Sequence, residues 1–304
     1  MAVPFDVMYT LIECATCLVN SMLLVVNRIC LIMLSVSVKV GYSLDTVTTS
    51  SDYMAKVIAL FNQSGGVGKS TLTMNLGYHL AKEQRVLLID MDPQASLTLF
   101  MGLEPSEISE TVYDAIIDGV AAPIQHISPG IDLLPSNINL SGAELELVSA
   151  DMRDYRLKDV IEAISDRYDF ILIDCPPSLG LLSYISLVAA NYVLVPVQTQ
   201  YKSFMGTELL LQTVGRVQKR PNRQLKIVGF VPTMYSGQNS QDTRAVEAIE
   251  SQLGKVSRVF PPIKRATAFA DAVEKHLPLF LYDKNQPALK ILDEIAQYLQ
   301  ELTA

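Results

Sequence analysis

Three glycines, a lysine and two consecutive hydroxyl residues close the stretch N-Q-S-G-G-V-G-K-S-T, Asn62 to Thr71. Gly65, Gly66 and Gly68 let the backbone bend tightly around Val67, so that successive N–H groups point inward at phosphate oxygens. A helix starting at this point adds the partial positive charge of its N-terminus. Lys69 can then reach terminal phosphates, Ser70 offers a hydroxyl to Mg2+, and Thr71 extends the anion-binding turn. The general pattern GxxxxGK[ST] is not met, because Gln63 stands at its first glycine position.

Two further segments end in carboxylates. "VLLIDMDPQAS" carries Asp90 and Asp92, and "FILIDCPPSLG" carries Asp174. A carboxylate that follows four apolar residues is costly to bury unpaired, so each is expected to face water, Mg2+ or a phosphate-bound water at a strand end. One such acid is an ordinary strand terminator. Three beside a glycine loop make a site for a nucleotide and its cation.

The elements that must position these residues are short apolar runs alternating with longer helical patterns. The expected strands are "KVIALF", "RVLLIDMD", "IDLLPS", "DFILIDCP", "YVLVPVQ", "LKIVGFVP" and "VSRVF". Several are continuously apolar over four to six residues, as parallel strands buried on both faces are. Helices are expected over "STLTMNLGYHLAKE", "SGAELELVSADMRDYRLKDVIEAISDRY" and "SFMGTELLLQTVGRVQKR". The alternation implies right-handed crossovers and an α/β fold with a doubly wound, mostly parallel twisted sheet and helices on both faces. Ligands of such sheets bind beyond the carboxyl ends of the strands, where the glycine loop and the acids fall. The last pattern, "QPALKILDEIAQYLQELTA", sets Leu289, Leu292, Ile295, Ala296 and Leu299 on one stripe. Its polar face is mostly acidic, so it is expected to pack on the domain and not on a membrane.

At 304 residues, with 49% hydrophobic and 18% charged content, the chain can bury a substantial core. The net charge of -8 excludes a protein that coats nucleic acid with its whole surface. Residues 1–53 differ from the remainder and hold Cys14, Cys17 and Cys30, three of the four cysteines. Glu13, Arg28 and Lys39 keep any uncharged run there below the roughly 18 residues of a membrane span, and the segment lacks the basic start and cleavage site of a signal peptide. The Cys14–Cys17 pair has no second pair at metal-ligand spacing. "MAKVIALF" has the form of a natural start, so Met54 is expected to be the initiator and residues 54–304 the functional domain. That domain keeps a net -6, because the first 53 residues hold four acids and two bases. Its single cysteine, Cys175, suits a reducing cytoplasm.

"NQSGGVGKST", "VLLIDMDPQAS", "DFILIDCPPSLG", "VLVPVQTQYKSFMG" and "GFVPTMY" together resemble the ParA/MinD family of deviant Walker A ATPases, from about Met54 to the C-terminus. The resemblance implies the P-loop NTPase fold of that family, an ATP-bound sandwich homodimer, slow Mg2+-dependent ATP hydrolysis and a role in positioning cargo. It also implies roles for single residues. Lys69 binds the β and γ phosphates, Asp92 orients the attacking water, and Ser70 and Asp174 hold Mg2+ with Asp90 in support. Pro232, Thr233, Pro261 and Pro262 flank the adenine.

Ser64 departs from the family pattern KGGxGK[ST], whose first lysine crosses the dimer interface to the partner's phosphates. A serine hydroxyl cannot supply that charge, and a trans-acting cation of this kind is worth roughly 10³ to 10⁵ in rate in related systems. Lys202, just past the strand "YVLVPVQ", is the expected substitute, with Arg153, Arg156 and Lys158 as second choice. Serine at this position and "QTQYKSFMGTELLLQT" are similar to the carboxysome-positioning McdA-type subgroup, with a plasmid or chromosome partition ATPase as the alternative. A nucleotide-gated scaffold with little hydrolysis, a MinD-like membrane protein and an iron-sulfur relative are the other rivals; the acidic last helix and the single core cysteine speak against the last two.

A nucleoid-associated ParA protein needs a basic face for non-specific DNA. Arg216, Lys219, Arg220, Arg223 and Lys226 form one cluster, and Lys255, Arg258, Lys264 and Arg265 a second. A cargo-bound adaptor that stimulates hydrolysis completes the expected partners. His79, His126 and His276 show no metal spacing, and Met205 and Met234 are expected to be packing residues.

Overall fold

The structure, a computed structural model, describes residues 55–200, 206–237 and 240–302. The expectations for residues 1–53, Met54, Lys202 and Met205 lie outside the described residues.

Seven strands form one sheet: β1 (Lys56–Leu60), β2 (Val86–Asp90), β3 (Gln125–Ser128), β4 (Ile131–Leu134), β5 (Phe170–Asp174), β6 (Tyr192–Gln198) and β7 (Lys226–Thr233). Their order is β3-β4-β2-β5-β1-β6-β7, with every pair parallel except β3 and β4. The helices are α1 (Lys69–Leu80), α2 (Ser96–Phe100), α3 (Val112–Ile117), α4 (Leu140–Leu147), α5 (Arg156–Glu162), α6 (Leu181–Ala189), α7 (Thr207–Lys219), α8 (Ser240–Leu253), α9 (Thr267–Glu274), α10 (Leu279–Tyr282) and α11 (Ala288–Glu301).

The central strands bury both faces, and their two-residue period divides the core into layers. Val57, Ala59, Leu87, Ile89, Ile171 and Ile173 face one cluster, closed by Val112 and Ile116 of α3, Leu140 of α4, Ile161 of α5, Ile185 of α6 and Val214 of α7. Ile58, Leu60, Val86, Leu88, Phe170 and Leu172 face the other, closed by Met74 and Leu76 of α1 and Leu292, Ile295 and Leu299 of α11. The terminal helix therefore packs on the domain with its expected stripe, Leu289 only half-buried at its edge. At Gly77 a Cβ would stand 2.8 Å from Leu88 Cδ2, so glycine sets how closely α1, which begins at the glycine loop, lies on β2.

Three elements differ from expectation. "VSRVF" is not a strand: it meets β7 at the single bridge Phe230–Val259, and Pro261 and Pro262, which lack N–H donors, follow at once. The long helical pattern after β4 breaks into α4 and α5, with Met152 at φ 53° in the left-handed region and Arg153 Nη1 donating to the Val148 carbonyl at 2.8 Å. Finally β3, polar and largely exposed, pairs antiparallel at the sheet edge across a turn containing Gly130.

Candidate nucleotide site

The loop between β1 and α1 carries the glycines. Gly66 and Gly68 lie at φ 70° and 90°, a region that side-chain-bearing residues rarely adopt, and Gly68 opens α1 with no side-chain cap. The first N–H groups of α1 are thus left for an outside acceptor. The loop is anchored from behind. The Asn62 amide donates to the Pro196 carbonyl at 2.7 Å and its oxygen accepts from the Ser64 N–H at 2.9 Å. Thr233 Oγ1, at the end of β7, donates to the Val67 carbonyl at 2.9 Å, and the Gln63 amide donates to the Gly206 carbonyl at the start of α7.

Lys69 is buried, and its ammonium donates to the Ser64 carbonyl at 3.1 Å. Burial lowers its pKa, opposed chiefly by the charge of Asp174. Asp90 and Asp174 are register partners on adjoining strand ends, and both are fully buried, so of the water, Mg2+ or phosphate-bound water expected there, neither meets open water. Asp90 is well satisfied, accepting from the Asp92 N–H at 3.0 Å, the Thr98 N–H at 2.9 Å and Thr98 Oγ1 at 2.7 Å. Even so, burial pushes its pKa up to about 6 against these hydrogen bonds. Asp174 is the opposite case. Neither of its oxygens completes a hydrogen bond of good geometry, and burial together with the charge of Asp90 raises its pKa well above the usual range. The nearby Ser70 hydroxyl and Lys69 ammonium pull the other way. Asp92, slightly exposed, accepts from the Gln94 N–H at 2.9 Å. Cys175 is a buried thiol with its pKa pushed up to about 12 by burial.

Two orphaned carboxylate oxygens beside a serine hydroxyl and a desolvated ammonium fit a divalent cation and a polyphosphate. Mg2+ needs only one or two protein oxygens there, with water and phosphate supplying the rest. Asp90, with its oxygens already taken, stands behind that set.

A cavity of about 930 Å³ opens beside the loop, lined by Gly68, Thr71, Thr233 and Met234 at the phosphate side and by Ile263, Lys264 and Phe269 farther in. Pro232 is buried in β7, whereas Pro261 and Pro262 are not in the lining; Ile263 to Thr267 take that place. This shift arises because Ile263 N–H donates to the Pro232 carbonyl and Arg265 N–H to that of Tyr235, drawing this later segment to the end of β7. Met234, at φ 59°, lines the cavity and is not simply packed in the core.

The basic residues fall into two places. Arg216, Lys219 and Arg220 end α7, Arg223 and Lys226 lead into β7, and all five are exposed. Ser257 Oγ donates to the Ile227 carbonyl at 2.8 Å, which brings the segment holding Lys255 and Arg258 to this same end of β7. Arg258 is engaged there: it pairs with Glu294 at 2.6 Å and stacks on Phe260 and Tyr298. Lys264 and Arg265 instead lie at the cavity, roughly 20 Å away along the strand. Of the second-choice cations, Arg153 pairs with Asp154 at 3.5 Å and Lys158 with Glu162 at 3.6 Å, while Arg156 begins α5. His79 Nδ1 meets Asp293 at 2.6 Å, His126 meets Asp132 at 2.8 Å and His276 meets the Leu99 carbonyl at 2.9 Å.

The sequence reading missed Thr98 and Ser136. Ser136 Oγ donates to the Asp92 carbonyl at 2.9 Å and its N–H to Thr98 Oγ1 at 3.0 Å. No local pattern marks either residue, since one follows β2 and the other follows β4.

A mostly parallel sheet whose glycine loop opens the first helix, beside carboxylates on adjoining strand ends, is the fold of a P-loop NTPase. An AAA domain family (AAA_31) matches residues 55–227. The sporulation initiation inhibitor protein Soj of Bacillus subtilis is 38% identical over 250 residues, 80% of this chain and 98% of Soj. Among solved structures, an ATP complex of a Cyanothece McdA variant is similar at a TM-score of 0.75 and 26% identity, covering 83% of this chain and 98% of that one. The cobyrinic acid a,c-diamide synthase of Mycobacterium smegmatis with bound ATP analog and magnesium is similar at a TM-score of 0.68 and 32% identity, covering 78% and 94%. The chain belongs to the ParA/MinD family of ATPases, with the ParA/Soj-type partition proteins.

Proposed function

We propose that this protein is an ATP- and Mg2+-dependent dimerising switch that binds non-specific DNA in its ATP state and positions a cargo on the nucleoid. The observation that carries the nucleotide reading is Asp174: two fully buried oxygens without a partner, beside Ser70 and Lys69, at the mouth of a glycine loop. The likeness to an McdA–ATP complex and to a synthase holding an ATP analog and magnesium supports the same ligands here.

In this reading Gly65 to Thr71 wrap the phosphates, and Lys69 exchanges the Ser64 carbonyl for phosphate oxygens. The Ser70 hydroxyl and Asp174 would hold Mg2+, which would supply charge neutralisation for the phosphates. The base lies farther into the cavity than Thr233 and Met234, against Ile263 and Phe269. Asp92 accepts a hydrogen bond from water and orients it for in-line attack on the γ-phosphorus; the bond to the ADP oxygen breaks and the water's proton leaves with phosphate. A cation from the second copy stabilises the charge, with Lys202 standing in for the lysine that Ser64 replaces. Arg216, Lys219, Arg220, Arg223, Lys226 and Lys255 form the DNA face, and a cargo-bound adaptor stimulates release. The cargo we propose is the carboxysome, on the ground of Ser64 and the McdA likeness; the likeness to a chromosome partitioning protein ParA of Caulobacter vibrioides, 37% identical over 251 residues, favours chromosome or plasmid partition as the second reading.

Phosphate release and dimer formation by the full chain, measured with Mg2+ATP and DNA for the parent, Lys69→Ala, Lys202→Ala and Ser64→Lys, test this reading. The parent is expected to turn over slowly, Lys69→Ala not at all, and Lys202→Ala to lose both dimer and rate unless Ser64→Lys restores them. A parent that binds ATP yet releases no phosphate, even with DNA present, would make it a nucleotide-gated scaffold.

A further inference from the structure

Asp92 follows a strand end, and within its own segment its carboxylate accepts from the Gln94 N–H at 2.9 Å. The turn from Asp92 to Ala95 is tight, with the Ala95 N–H donating to the Asp92 carbonyl at 2.8 Å and Ala95 itself in the left-handed region at φ 52°. A non-glycine residue rarely takes that conformation. Beyond the turn, the backbone of Asp92 is held through two buried hydroxyls.

Thr98 Oγ1 and Thr98 N–H both donate to one oxygen of Asp90, whose other oxygen accepts from the Asp92 N–H. Ser136, on the chain leaving β4, closes the loop: its N–H donates to Thr98 Oγ1 and its hydroxyl to the Asp92 carbonyl. Thr98 and Ser136 have no exposed surface. The N–H of Asp92 is therefore held through Asp90 and Thr98, and its carbonyl by Ser136 and Ala95. Each anchor is tied to the next. Within this ring Thr98 Oγ1 is used as both donor and acceptor, the full set that a hydroxyl needs to fix its rotor.

We propose that Thr98 and Ser136 are positioning residues for hydrolysis, which fix the backbone of Asp92 so that its carboxylate meets the attacking water. This rests on the ATPase reading above and assigns to it two residues that touch neither nucleotide nor metal. A misplacement of about 1 Å at such a group costs on the order of 100-fold in rate, while ground-state binding through the glycine loop and Lys69 is untouched.

The test uses the full chain with Mg2+ATP and DNA. Steady-state kcat and KM are measured alongside affinity for a non-hydrolysable ATP analogue and the thermal midpoint, for the parent, Thr98→Val, Thr98→Ser and Ser136→Ala. Thr98→Val and Ser136→Ala are expected to lower kcat about 10- to 100-fold while analogue affinity stays within about twofold of the parent. Thr98→Ser, which keeps the hydroxyl, is expected to stay within about threefold of the parent rate. Should Thr98→Val fail to fold, Ser136→Ala carries the same expectation. The proposal is overturned if the folded variants hydrolyse at the parent rate, or if affinity falls in step with rate and Thr98→Ser does not rescue it. A parent with no turnover overturns the hydrolysis reading itself and this proposal with it, and its own zero rate tells that failure apart.

Discussion

Raising the pH should destabilise the nucleotide-free protein through the carboxylates buried at its site, and Asp90 gives the clearest measure. Its carboxyl titrates at about 6 instead of 3.8, chiefly because it is fully buried. Between those values the folded chain keeps a proton that the unfolded chain has lost. The stability this contributes is fully present below the unfolded pKa and is lost as the pH rises through the folded one. The interval from 3.8 to about 6, at about 1.36 kcal/mol for each unit, amounts to about 3 kcal/mol. That is a large part of the roughly 5–15 kcal/mol that holds a domain folded. Asp174 shifts in the same direction and faces Asp90 across the strands, so the two titrate as a pair. Asp90→Asn keeps the shape and removes one titration. Urea unfolding of parent and variant, from about pH 3 to about pH 8 without Mg2+ or nucleotide, yields the difference in their stabilities. His79, Asp169 and Asp293 have lowered pKa values and act in the opposite sense, but they are common to both proteins and cancel. The parent should lose about 3 kcal/mol relative to the variant across this range. A difference that stays flat within about 0.5 kcal/mol would refute the linkage and the burial on which it rests.

Thr233→Val, nearly isosteric, removes the hydroxyl that holds the Val67 carbonyl at 2.9 Å and should cost about 1–2 kcal/mol in urea unfolding. An unchanged stability would mean that β7 does not brace the loop. Arg258 is occupied by Glu294 and two rings, so Arg258→Ala should lower the thermal midpoint yet leave the salt slope of DNA binding as it was. Arg223→Ala, at an exposed residue, should reduce that slope by about 1 with little change in stability. Filter binding across a salt series separates the two, and a parent slope near zero would remove the electrostatic basis of the DNA reading.

The parts of the fold that could be read in advance are those whose cause is local. Six of the seven expected strands form, each rich in β-branched residues or leucine, and Gly66 and Gly68 take positive φ in the loop where phosphate chemistry asked for it. Reading failed where the cause was tertiary. "VSRVF" has a strand's composition, but two prolines end its pairing with β7 after one bridge. β3 is polar because one side of an edge strand is solvent, and no apolar alternation announces it. The acids were expected to face water, Mg2+ or a phosphate-bound water because a lone buried carboxylate is costly. That cost is real at Asp174, but at Asp90 it is offset by donors from Thr98, and Thr98 is in turn bonded by Ser136 from the far side of β2. Such a ring exists only once β2 and β4 pair.

The placement of the basic residues constrains how a switch of this kind can work. The nucleotide site lies at the carboxyl ends of the strands, whereas Arg216 to Lys226 lie where β7 begins, at the opposite edge of the sheet. In the proposed reading DNA and ATP therefore do not compete for one surface, and any dependence of one on the other must pass through an element that reaches both edges. α7 is such an element. Its first residues follow Gly206, whose carbonyl accepts from Gln63 of the phosphate loop, and its last turn carries Arg216 and Lys219. The helix, 13 residues long, spans roughly 20 Å from the phosphate loop to the basic edge, so in the proposed reading it is the element through which the two sites would be coupled. Lys202, the proposed trans cation, precedes Gly206 by a few residues in the sequence.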